Sequence, residues 1–230
     1  MEHRFSRTEL VLGAENLKRL AKTTVAVVGV GGVGSYAVEA LARSGVGALI
    51  LIDHDRVSVS NLNRQIIALE STIGRRKGEG MAERVLQINP ECNVVCHQVF
   101  YDRGRHQGLF AKGVDCVADA IDSVGAKVDL IECCLQTHLP FISSLGTGNK
   151  LDPTLLEITD ISKTHTCPLA RAVRGALRKR GIREGVPVVF SKEPVAGKKE
   201  GSVPGSTSFV PPSAGLIMAS WIVRKVCREV

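Results

Sequence analysis

The chain has 230 residues, a formal net charge of +7 at neutral pH and only 4% aromatic residues. Such a length accommodates one α/β domain with a full core, or that domain plus a short appendage. It contains no apolar run of the roughly 18 residues that a membrane span needs, and MEHRFSRTEL lacks the apolar stretch of a secretory signal. The seven cysteines (Cys92, Cys96, Cys116, Cys133, Cys134, Cys167 and Cys227) are odd in number, and several sit in apolar runs such as VDCVADAID. A reduced, cytoplasmic chain without membrane contact is expected. Two Cys-x-x-Cys pairs are lacking, so no zinc is expected.

The first half alternates short β-branched runs with helical spacing. Strands are expected at Thr24–Val30, Ala48–Ile52, Asn93–Val99, Val114–Ile121 and Pro140–Ser144. Helices are expected at Gly34–Ser44, Glu79–Ile88 and Ala126–Gln136. This pattern predicts an α/β fold: a Rossmann-like, mainly parallel sheet with helices on both faces and a smaller C-terminal extension of the sheet. Ligands then belong beyond the carboxyl ends of the strands.

The second half reads differently. After a loop at Gly146–Pro153 come strand-like Leu155–Ile161, a helix at Leu169–Arg180 and a strand at Val186–Phe190. Lys192–Ser208 is rich in Gly, Lys, Ser and Pro and reads as a mobile loop. An apolar helix over Ser213–Val226 follows Pro211-Pro212, to pack on the sheet or on a second subunit. Residues 1–150 are thus expected to form the nucleotide-binding part and residues 151–230 an extension within the same compact domain. Residues 171–200 carry nine Lys/Arg against three Asp/Glu, an excess that suits a polyanion. On the expected helix, Arg171, Arg174 and Arg178 share one face and Ala170, Val173 and Leu177 another. The plainer alternative is a solvated helix.

Gly29, Gly31, Gly32 and Gly34 satisfy G-x-G-x-x-G between a strand and a helix, where backbone N–H groups can receive phosphate. Asp53 closes the next strand, placed to accept hydrogen bonds from a ribose, with Asp55 beside it. A nicotinamide dinucleotide would be the usual occupant. The next segment argues otherwise: Asn61, Arg64 and Gln65, then Arg75, Arg76 and Lys77, gather polar and cationic groups that suit a triphosphate losing pyrophosphate. Asp122, at the end of the fourth strand, can hold magnesium against phosphates; its alternative is to cap the following helix.

These segments, VVGVGGVGS, LIDHDRVSVSNLNRQ, Gly74–Gly78, RVLQINP and DAIDS, resemble the ThiF-type adenylating family, which includes activators of ubiquitin-like and sulfur-carrier proteins. The resemblance implies a carboxylate-adenylating enzyme using ATP and magnesium. Gly32 would approach the phosphates, Asp53 the ribose, and Asn61, Arg64 and Lys77 the phosphates, with Asp122 on the metal. RFSRTELVLG resembles the family's N-terminal arm, in which Arg7 would reach the partner subunit's nucleotide; a homodimer is implied.

Within the family, EALARSGVGALILIDHD, MAERVLQINPEC and LGTGNKLDPTLLEITDISKT followed by PLAR resemble the branch that activates and cyclises the carboxylate of threonylcarbamoyladenosine in tRNA. The basic 171–200 segment fits a tRNA partner on its own account. The resemblance also leaves room for a cysteine-desulfurase sulfur-acceptor partner. SVPGSTSFVPPSAG, however, lacks the cysteine often found there, and Cys167 is the remaining candidate thiol. Two alternatives stand: activation of a sulfur-carrier or ubiquitin-like protein, and a non-catalytic nucleotide sensor.

Overall fold

The computed structural model describes residues 2–110, 113–195 and 204–227. Its strands are β1 (Thr24–Val28), β2 (Ala48–Ile52), β3 (Asn93–His97), β4 (Cys116–Asp119), β5 (Phe141–Ser144), β6 (Leu156–Asp160) and β7 (Pro187–Ser191). They form one sheet in the order β3-β2-β1-β4-β5-β7-β6. Every neighbouring pair is parallel except β6 and β7, which run antiparallel. The helices are α1 (Ser6–Leu12), α2 (Ala14–Leu20), α3 (Gly34–Arg43), α4 (Lys77–Ile88), α5 (His106–Phe110), α6 (Val124–Gln136), α7 (Pro168–Lys179) and α8 (Val210–Val226).

The β-branched runs become central strands because both of their faces are covered. Val25, Val27, Leu49 and Leu51 point into one core, with Leu20 of α2, Leu41 of α3, Met81 of α4 and Ile222 of α8. Ala26, Val28, Ile50 and Ile52 point into the other, with Leu130 and Ile131 of α6 and Val173 and Leu177 of α7. Each fully buried Leu, Ile or Met contributes about 1.5–3 kcal/mol of transfer free energy.

Boundaries differ from the sequence reading for local reasons. The first strand stops at Val28 because Gly29 turns to φ +91°. The last helix starts at Val210 rather than Ser213, with Pro211 and Pro212 inside its first turn, where a missing N–H breaks no intrahelical bond. That helix packs on the sheet and on α3. A Cβ at Gly215 would lie 2.2 Å from the Val33 carbonyl oxygen, so glycine permits the crossing. Helices α1, α2 and α5 are additions to the expected elements. Much of the expected 192–208 loop, including Lys198 and Lys199, lies outside the described residues.

Candidate active site

A cleft of about 600 Å³ opens over the carboxyl ends of β1, β2, β4 and β5, lined there by Val28, Ile52, Ala120 and Ser144. Strand order reverses between β1 and β4, so this is the switch point at which open α/β sheets bind ligands. The volume lies within the range of small-molecule sites.

The glycine loop divides into a structural and an open part. A Cβ at Gly29 would sit 2.7 Å from the Ala120 carbonyl, and one at Gly34 only 1.8 Å from the Gly29 carbonyl. These two glycines let strand, turn and α3 pack closely. The Gly29 N–H donates to the Ile52 carbonyl (2.8 Å) and the Val30 N–H to Asp53 Oδ2 (2.6 Å). The Gly31 and Gly32 N–H groups have no internal acceptor among the described residues. They are the donors left to a ligand, and Gly31 faces the Gln65 amide with room for one.

Asp53 therefore does more than close β2. Its Oδ1 accepts the Asp55 N–H at 2.8 Å while Oδ2 holds Val30, which locks the glycine loop to the end of β2. A carboxylate retains lone pairs beyond these two bonds, so ribose hydroxyls can still be received. Lys77, the first residue of α4, is 5% exposed, and its Nζ reaches Asp55 Oδ2 at 2.7 Å. His54 Nε2 lies 3.2 Å from Asp55 Oδ1. Asn61 is buried and fixes its turn by accepting the Ser58 N–H through Oδ1 at 3.1 Å. Arg64 lies over Gly32 and donates to the Ser60 carbonyl (2.9 Å) and Asn63 Oδ1 (2.8 Å). Gln65 lines the cleft with Oε1 buried and unpartnered, so its amide awaits a donor that the described residues do not supply.

On the opposite lip, Asp122 is exposed and forms no ion pair or hydrogen bond among the described residues. An oxygen donor in that state suits magnesium, which typically takes one or two protein carboxylates and keeps phosphate and water as its other ligands. Asp53, His54 and Asp55 are the one group among the described residues whose ligand atoms come close enough together to share a metal.

Directly beneath Asp122 lies a network that the sequence reading missed. Asp119 and Lys127 are both 0% exposed, with Lys127 Nζ 2.8 Å from Asp119 Oδ2. The Ser143 hydroxyl donates to the same oxygen at 2.6 Å, and Asp119 Oδ1 accepts the Ile121 N–H at 3.1 Å. Burial draws the Lys127 ammonium below its ordinary pKa, and the Asp119 carboxylate opposes this. The network ties the turn carrying Asp122 to β5 and α6. Its signal was Lys127 at helical spacing from Leu130, Ile131 and Cys134, on the buried side of its helix.

The remaining expected residues lie apart from the nucleotide half. Arg7 is exposed on α1 and does not line the cleft. Arg171 and Arg178 are exposed on α7, whereas Arg174 is tethered: its Nη1 donates to the Thr164 carbonyl (2.8 Å) and hydroxyl (2.6 Å). The helix thus presents two free guanidinium groups and one anchored one. Cys167 is buried at the N-terminus of α7, where Sγ accepts the Ala170 N–H at 3.4 Å.

Comparison with known proteins places this arrangement. The ThiF family profile matches residues 5–229. The chain belongs to the ThiF family. A tRNA threonylcarbamoyladenosine dehydratase of Bacillus subtilis is 46% identical over 100% of this chain and 97% of its own length. The crystal structure of the Escherichia coli tRNA N6-threonylcarbamoyladenosine dehydratase in complex with ATP superposes with a TM-score of 0.91 at 39% identity, covering 98% of this chain and 94% of that one. The same enzyme in complex with AMP gives a TM-score of 0.92, again at 39% identity and with the same coverage of both chains. Membership also accounts for the seven-stranded, mostly parallel sheet. No helix among the described residues is long and apolar enough to cross a membrane.

Proposed function

We propose that this chain is an ATP-dependent dehydratase that adenylates the carboxylate of threonylcarbamoyladenosine in tRNA and closes it into a ring. The observation that carries this reading is the cleft itself: free Gly31 and Gly32 amides, Arg64, Gln65 and Lys77 at one end, and an uncommitted carboxylate, Asp122, facing them. It is supported by near full-length likeness to dehydratases and to their ATP and AMP complexes.

A carboxylate is a poor electrophile at neutral pH. Attack of its oxygen on the α-phosphorus expels pyrophosphate and gives an acyl-adenylate. The carbamoyl group then attacks the carbonyl carbon within the same molecule, and AMP leaves with the original carboxylate oxygen. The sum is loss of one water, carried away in the hydrolysis of ATP to AMP and pyrophosphate. No protein nucleophile is required, so the chain contributes positioning and charge. Gly31 and Gly32 receive phosphate oxygens, Asp53 the ribose, and Asn61, Arg64, Gln65 and Lys77 the leaving phosphates. Lys77 shares its proton donors between Asp55 and the phosphates. Magnesium held by Asp122 would neutralise phosphate charge when bound. Arg7, which does not line its own cleft, serves the partner subunit's cleft in a homodimer. Arg171 and Arg178 meet tRNA phosphates.

The rival reading, activation of a sulfur-carrier or ubiquitin-like protein, differs in what must be adenylated. ATP–pyrophosphate exchange is expected with tRNA carrying threonylcarbamoyladenosine and not with a Gly-Gly-tailed carrier protein. Exchange with the carrier alone reverses the assignment; exchange with neither, with magnesium-indifferent nucleotide binding, leaves a sensor.

A further inference from the structure

The cleft continues past the nucleotide half into a second half, lined by the loop from Ser144 to Lys150, the start of α7 and Pro204–Ser206. The sequence reading left Lys150 without a role. Three lysines of the described chain are nearly or wholly buried: Lys77, Lys127 and Lys150. The first two each face an aspartate, at 2.7 Å and 2.8 Å. Lys150, 3% exposed, has no such partner among the described residues. Its Nζ donates to the backbone carbonyl of Glu193. The Glu193 carboxylate is turned away to the Leu151 N–H (2.9 and 3.0 Å) and the Asp152 N–H (2.9 Å). Burial draws the Lys150 ammonium below its ordinary pKa, against weaker raising effects of Cys167 and Glu193.

A buried cation lacking an anion costs free energy that a folded protein ordinarily avoids by pairing. Here no carboxylate among the described residues contacts the ammonium, and the substrate half of the cleft, which Lys150 lines, is where a bound anion would reach it. Resting on the reaction proposed above, we infer that Lys150 receives the substrate's carboxylate and makes the site selective for a nucleoside bearing one. One carboxylate oxygen rests on the ammonium while the other is free to attack phosphorus. After adenylation the ammonium faces the acyl carbonyl oxygen, on which charge gathers during ring closure. The backbone carbonyl of Glu193 fixes the ammonium from behind, so little reorganisation is needed.

The test compares affinity for one tRNA in two forms, carrying threonylcarbamoyladenosine or unmodified adenosine, with a non-hydrolysable ATP analogue present. The proteins are wild type, Lys150→Met and Lys150→Arg. A charged hydrogen bond of this kind corresponds to about 10- to 100-fold in binding. Lys150→Met is expected to lose about that factor for the modified tRNA alone, with affinity for unmodified tRNA and for the ATP analogue unchanged. Lys150→Arg, which keeps the charge, should restore part of the preference. A residue that only braced the Glu193 segment would weaken both tRNAs and the nucleotide together. Lys150→Met should also fold at least as stably as wild type, since it removes an unpaired buried charge. A folded Lys150→Met protein that keeps the full preference overturns the role of Lys150 while leaving the dehydratase reading in place. A wild-type protein that neither distinguishes the two tRNAs nor converts the modified one overturns both.

Discussion

Removing one charge of the Asp119–Lys127 pair should cost far more than removing both. Each side chain is 0% exposed, and their 2.8 Å contact is the ammonium's one carboxylate neighbour within hydrogen-bonding reach. Asp119→Asn leaves a buried ammonium with only the Ser143 hydroxyl, at 3.1 Å, and a neutral amide. Lys127→Met leaves a buried carboxylate held by Ser143 and the Ile121 N–H. Breaking a buried pair in this way costs about 3–5 kcal/mol, whereas exchanging both partners for uncharged groups is often neutral or stabilising. For a domain of this size each single variant should melt about 6–20 °C below wild type. The double variant Asp119→Asn/Lys127→Met should recover a large part of that loss. Thermal and urea unfolding of the four proteins yields the coupling energy. Losses that simply add, or single variants within about 1 kcal/mol of wild type, would show that the pair is not an isolated buried charge pair.

Three further outcomes follow from the site. Asp122→Ala should lower ATP–pyrophosphate exchange by several kcal/mol of transition-state stabilisation, yet change stability by under about 0.5 kcal/mol because the side chain is exposed; near-normal exchange would remove Asp122 from the chemistry. Inactive Arg7→Ala and inactive Asp122→Ala subunits, mixed, should regain activity, since one cleft of a mixed dimer holds both residues; silence in verified heterodimers would count against sharing. Arg171→Ala/Arg178→Ala should flatten the slope of log affinity against log salt for tRNA binding by about 1.4–1.8, while Arg174→Ala alone, tethered to Thr164, should alter it little; equal effects of all three arginines would refute the distinction.

Most of the sheet was legible because buried parallel strands leave continuous β-branched runs. The expected Ala48–Ile52 coincides with β2, and the others differ only at their ends. The shortfalls share physical causes. Helices α1 and α2 have seven residues each and no side-chain N-cap, which is too short to leave much periodic signal. The antiparallel turn of β6 onto β7 depends on pairing between segments some 30 residues apart, which local pattern does not encode. The site's glycines, aspartates and cations were visible as motifs, yet their internal partners were not. Nothing in SVSNLNRQ shows Arg64 lying across Gly32, and nothing in DHD shows Asp53 holding the Val30 amide. Arg174 shows the same limit: helical spacing placed it beside Arg171 and Arg178, but Thr164 claims its guanidinium. Lys127 left only its helical spacing from Leu130 and Ile131 as a trace, and Lys150 none, because burial is a tertiary property.

The central claim, cyclising dehydration of a tRNA nucleoside, is tested most directly by the nucleoside itself. Purified protein is incubated with tRNA bearing threonylcarbamoyladenosine, ATP and magnesium, and the tRNA is then digested to nucleosides for mass analysis. The expected result is a nucleoside lighter by one water, formed in step with AMP and absent when ATP is omitted. Unchanged threonylcarbamoyladenosine after incubation with folded, ATP-binding protein would contradict the assignment.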